Sequence, residues 1–227
     1  MQIVFLVKIL IYSDMVVKYK YETEVALLGT KPKSKVNFYL SCGAYLLTIV
    51  LDLLFTYIAT PNLLLEGNPL YNQTNFGWTG LIAINVITFA GYVLMAWYAF
   101  IKYKSPVTNE TDMKRYLAYI NYGDADGYVP MMWKLPKNWA PQTACLCWSV
   151  VCVLPFCRMI IVLEWFLMIL RIRNPLTELF FTIVACFPMG RIDIFLAVIG
   201  AWILSFFWIK REFKKNLDEI KKRQAQS

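Results

Sequence analysis

The sequence predicts an all-α fold: a transmembrane bundle of four spanning helices with one short extra helix, re-entrant or interfacial. Three observations predict it. Apolar residues form 59% of the 227-residue chain and charged residues 17%, against roughly 45–50% and 25% in soluble domains. The apolar excess is gathered into runs of about 20 residues, the length that crosses about 30 Å of hydrocarbon. Lysine and arginine, which set the formal charge of +8, flank those runs. That placement suits an anionic membrane surface and gives no nucleic-acid partner.

Residues 1–36 read as a cytoplasmic or interfacial N-terminal segment. Its opening, Met1–Val17, is apolar but interrupted by Lys8 and Asp14. It lacks the charged start and small-residue cleavage site of a signal peptide, so an interfacial helix is expected, with Met15 an alternative start to Met1. The spanning region covers residues 37–209, with expected spans Asn37–Thr60, Trp78–Ile101, Thr143–Leu170 and Arg191–Ile209. Trp78, Trp97, Trp148, Trp165, Trp202 and Trp208 fall near span ends, where interfacial aromatics sit. Residues 102–142 form a loop in which Gly123-Asp-Ala-Asp-Gly127 reads as a polar turn, lacking the distal Glu of a calcium loop. Residues 175–188 are apolar but too short to span; they form the extra helix or the start of a broken fourth helix. Residues 210–227 continue the fourth helix as a basic cytoplasmic extension.

Orientation follows from the basic residues. Lys8, Lys18, Lys20, Lys31, Lys33 and Lys35 precede the first span, and Pro61–Gly77 has no Lys or Arg. Lys102, Lys104, Lys114, Arg115, Lys134 and Lys137 follow the second span, and Lys210 to Arg223 follow the fourth. Basic flanks stay inside, so both ends are expected in the cytoplasm. Arg171, Arg173 and Arg191 break the rule, because their loop falls outside. Cys42, Cys145, Cys147, Cys152, Cys157 and Cys186 lie in or beside spans and read as small packing residues. The chain has no histidine, which removes most zinc and His-based chemistry; no metal and no cofactor are expected.

Polar residues inside spans carry the functional signal, because lipid disfavours them. Asp52 lies about 22 Å from the inner end of the first span, and Arg158 about 22 Å from that of the third. Asn85 lies about 10 Å below the outer end of the second. Thr56 is one turn beyond Asp52, Glu164 is near the outer end of the third span and Asp193 near the outer start of the fourth. Arg158 and Glu164 point about 120° apart on one helix and cannot pair well there, so an Asp52–Arg158 ion pair is expected. Such a pair can serve helix register alone. With Glu66, Asn68, Arg171, Arg173 and Arg191, these residues would form an outward-facing polar cavity, and arginine forks suit phosphate or carboxylate.

The two halves share a pattern. Val50-Leu-Asp52, Glu66-Gly-Asn68-Pro69-Leu70 and Ala90-Gly91-Tyr92 correspond to Val162-Leu-Glu164, Asn174-Pro175-Leu176 and Gly200-Ala201-Trp202. Two two-helix repeats would result, as in some transporters, with Asn capping and Pro opening a helix in each. The first unit, Asp52-x3-Thr56 followed by Glu66-x-Asn68-Pro69, resembles a family of small prokaryotic integral membrane proteins of unknown function. The resemblance covers roughly residues 37–103. It implies a fold element with a polar corner and no activity.

Three function classes remain. The first is non-catalytic binding or transport of an ion, a small anion or a lipid headgroup. The second is an intramembrane enzyme acting on a phospholipid headgroup, for which the sequence offers no nucleophile–base set. The third is an assembly or interaction partner. Membrane lipid is the expected partner, with a homo-oligomer possible. The strongly apolar inner halves of the spans argue against an open channel within one chain.

Overall fold

The computed structural model describes residues 32–63, 77–126, 135–172, 175–186 and 192–226. Helix α1 spans Pro32–Ala59, and α2 spans Gly77–Trp97 and continues as a π-helical turn, Tyr98–Lys102. Helix α3 is Met113–Tyr122, α4 Ala140–Ile169, α5 Pro175–Ala185 and α6 Ile192–Gln226. Four of these helices are long and apolar enough to cross a membrane. Their outward faces agree: Val86, Ile87, Leu94, Val198, Trp202 and Phe207 are all exposed. Large exposed apolar surface is a liability in water and the expected state in lipid. The chain is a multi-pass integral membrane protein.

Helix ends follow local chemistry. Helix α1 stops just before Thr60-Pro61, where proline disfavours helical geometry in the preceding residue. Asp112 caps α3 by accepting the Lys114 and Arg115 backbone N–H groups at 2.9 and 3.1 Å. Gly123 closes α3 in the left-handed region at φ 75°, donating its N–H to the Tyr119 carbonyl. The turn after it holds an Asp124 carboxylate accepting the Asp126 N–H at 3.0 Å. Arg171, at φ 49°, takes the left-handed position after α4 without being glycine.

Helix α4 is the hub, packing most extensively against α6 on one side and α1 on the other, with α2 also in contact. The α4–α6 seam is built from small residues. Gly200 leaves no room for a side chain: a Cβ there would lie 2.5 Å from Val153 Cγ2. Ser149 and Ser205 hydroxyls meet at 3.2 Å, and the Cys145 thiol faces the Ser205 carbonyl at 3.9 Å. In lipid, where apolar burial gives helices no net attraction, such close approach is what holds them together.

Helix α1 begins before Asn37, and α6 runs unbroken from Ile192 through the basic extension, as the sequence leads one to expect. The short apolar stretch is an independent helix, α5; at 11 residues it is about 16 Å long and cannot span. Pro175 therefore opens α5 rather than the fourth span, which sets the second half apart from the proposed repeat. Trp208 is buried against Ala144 and Cys145, and Trp165 is also buried. Both are packing residues rather than interfacial anchors. Among the cysteines, Cys145, Cys147 and Cys157 are buried, whereas Cys152 and Cys186 are exposed. Met1–Val17 lies outside the described residues.

Candidate functional site

Helices α1, α2 and α4 bring their polar residues to one point. Arg158 donates from Nε and Nη2 to Asp52 Oδ2, at 3.1 and 2.7 Å. Nη2 also donates to Asn85 Oδ1 in a close contact. Asn85 is oriented for this by its own helix, since its Nδ2 donates to the Leu81 carbonyl at 2.9 Å. Nη1 approaches the Tyr45 hydroxyl at 3.5 Å, and the guanidinium carbon lies 5.9 Å from the Tyr45 ring centroid. The side chains of Arg158 and Asp52 retain 16% and 13% of their exposure, so protein covers most of the pair.

The periodicity of α1 explains its share of the centre. Tyr45, Ile49, Asp52 and Thr56 recur at three- and four-residue spacing and share one face. Thr56 is buried one turn beyond Asp52.

Beneath the ion pair, α4 carries Pro155 within its helical run. Proline has no N–H, so the carbonyl four residues earlier, that of Val151, loses its helical donor. The Tyr92 hydroxyl of α2 donates to that carbonyl at 2.9 Å and also lies 3.2 Å from the Ser41 carbonyl. Tyr92 is fully buried and stacks on Tyr45 with ring centroids 4.1 Å apart. One buried column thus runs from Pro155 through Tyr92 and Tyr45 to Arg158. Tyr45 and Pro155 were not singled out from sequence, and Tyr92 entered only through the repeat pattern, not as a site residue. The available signal was the intrahelical proline, whose orphaned carbonyl requires a donor from elsewhere.

The remaining expected site residues do not join this centre in the same way. Glu164 is half-buried two turns along α4, and Arg171 is exposed at the end of that helix. Asp193 is half-buried at the start of α6. Glu66, Asn68, Arg173 and Arg191 lie outside the described residues. Of the expected outer arginines only Arg171 is described, and it stands at the exposed C-terminal end of α4. Among the described residues, no three metal-ligating side chains cluster.

A second polar cluster lies at the opposite end of the bundle. Glu212, 2% exposed, accepts from Lys215 Nζ at 2.6 Å, from Arg211 Nη2 at 2.9 Å, and from the Ser105 hydroxyl in a close contact. One turn on, Asn216 accepts the Thr108 N–H at 2.7 Å and donates to the Glu110 carbonyl at 3.0 Å. The Arg211 guanidinium covers the Trp148 ring at 4.6 Å. Burial alone would raise the Glu212 carboxyl, but Lys215, Ser105 and Arg211 outweigh it and hold it below the usual range. This cluster fastens the 103–110 segment to the extension of α6. Its sequence signal was a buried-face stripe, Trp208, Glu212 and Asn216, at four-residue spacing within a basic run.

Fold and site together define a class, multi-pass membrane proteins with an ion-paired arginine among three spanning helices. No protein-family model, no curated protein and no solved structure matches this chain.

Proposed function

We propose that this protein is a non-catalytic binding or transport protein whose Arg158–Asp52–Asn85 centre takes a small anionic group, free in solution or carried by a lipid headgroup. The observation that supports this reading most is a guanidinium held in the bundle by side chains from three helices, with a small part of its surface uncovered by protein. A register-fixing pair needs only two partners. Here a carboxylate, an amide oxygen and an aromatic face converge on one cation, an arrangement that orients the guanidinium fork. The distribution of lysine and arginine supports both ends lying in the cytoplasm, with the Asp52 half of α1 toward the outside.

The test is access. After removal of the native cysteines, Asn85→Cys should react with a membrane-impermeant thiol reagent added outside cells. A position 85 that stays unlabelled in folded protein with the reagent on either side of the membrane would mean a sealed structural core and would end the binding reading.

A further inference from the structure

Charge balance constrains how such a centre can bind anything. Within the bundle, Arg158 is neutralised by Asp52, whose Oδ2 receives both the Nε–H and an Nη2–H. An anion approaching the same fork meets a site already occupied by a carboxylate of like charge. Adding it without another change leaves net negative charge in a low-dielectric region, which is strongly unfavourable. Displacing Asp52 as an anion leaves the same excess and also deprives the carboxylate of its guanidinium.

From this, and resting on the binding reading above, we infer that the centre binds an oxyanion together with one proton, which is taken up by Asp52. The balance is explicit. The starting state is Asp52 carboxylate with Arg158 guanidinium, net neutral. Anion and proton enter together; the proton forms an O–H bond on the Asp52 carboxyl. The guanidinium fork turns its two N–H donors from Asp52 to two oxygens of the anion, and the product is again neutral. Asn85 favours this exchange because its Oδ1 stays on Nη2 and its amide is held by the Leu81 carbonyl. The fork therefore keeps an anchor while its carboxylate partner changes. Tyr45 keeps its ring over the cation in either state.

Other groups near Arg158 do not supply the same exchange. Helix α1 presents Asp52 and Tyr45, and α2 presents Asn85 with Tyr92 behind Tyr45. On the α6 side, Asp193 stands in the first turn of the helix, and on α4 itself Glu164 projects about 120° away from Arg158. Asp52 is the carboxylate whose hydrogen bonds an anion at the fork must replace.

The experiment is calorimetric titration of full-length protein in detergent, repeated in two buffers of different ionisation enthalpy. The probes are nitrate, a free planar oxyanion, and dimethyl phosphate, a headgroup-like diester; neither titrates near neutral pH. Wild-type protein should take up about one proton per anion bound. Its affinity should fall about tenfold per pH unit wherever Asp52 is ionised in the free protein. Asp52→Asn should bind with no proton uptake and no such pH slope. Binding of nitrate alone would assign a free anion, and binding of the diester alone a headgroup; the proton count supports the coupling in either case. Wild-type binding without proton uptake overturns the coupling and leaves the binding reading standing. No binding of either probe, by wild type or variant, removes both. If Asp52→Asn does not fold, the wild-type proton count decides alone.

Discussion

Arg158 carries a fixed positive charge in the middle of an apolar helix, and its partners determine whether the bundle tolerates it. Removing the carboxylate while leaving the arginine strands a buried charge, a change that typically costs about 3–5 kcal/mol. Asp52→Asn should therefore lower thermal stability in detergent, and Asp52→Arg with Arg158→Asp should recover part of it. If the swap is no better than the single variant, the pair does not contribute through its charges. Tyr92 gives a separate test at the same scale. Tyr92→Phe leaves the Val151 carbonyl without the donor that Pro155 cannot supply. The expected loss is about 1–2 kcal/mol. Pro155→Ala restores a backbone N–H at that carbonyl, so it should reduce the cost of Tyr92→Phe. Equal costs in both backgrounds would show that the hydroxyl serves something else.

Among the elements, the α4–α6 seam and the α6 extension have opposite chemistry. The seam depends on absence of side chain at Gly200, where Val153 is already close. Gly200→Leu should push the helices apart and destabilise the fold by about 1–3 kcal/mol, read as a lower melting temperature. Exposed Val198→Leu on the same helix should leave it unchanged. The extension depends instead on an ionised Glu212. Because its folded pKa is depressed, its contribution is full above the unfolded value near 4.3 and is lost as pH falls through the folded value. Protection of the 103–110 backbone from hydrogen exchange should therefore weaken in acid below about pH 4. Glu212→Gln should show the weakened protection already at neutral pH. An acid-insensitive wild type would place the fastening elsewhere, with Asn216 the next residue to replace.

At the scale of the whole molecule, orientation is the expectation that most needs measurement. A cysteine at position 227 in a chain stripped of native thiols should be protected from an impermeant reagent in intact cells and labelled after lysis. Labelling in intact cells would invert the topology and move the Arg158 centre toward the inner leaflet. The proton–anion exchange would then face the cytoplasm with its chemistry unchanged.

Much of this was legible in the chain itself. Four spans were readable because lipid imposes one rule on every residue of a run: length and hydrophobicity suffice, whatever the neighbours are. Asp52 and Arg158 were readable as a pair because helical rise turns sequence position into depth, and two opposite charges at one depth have to meet. Depth carries no information about azimuth. It therefore could not separate Asn85, which faces Arg158, from Arg171 and Asp193, which share its half of the bundle but stand at helix ends. Only the packing of α1, α2 and α4 decided that Tyr92 would repair the carbonyl orphaned by Pro155. Likewise, a four-residue stripe marks Trp208, Glu212 and Asn216 as one face, but only the fold decided that this face would lie under the 103–110 segment. Each of those contacts joins residues far apart in the chain, and their partners are set by helix rotation, which hydropathy along a single helix leaves unspecified.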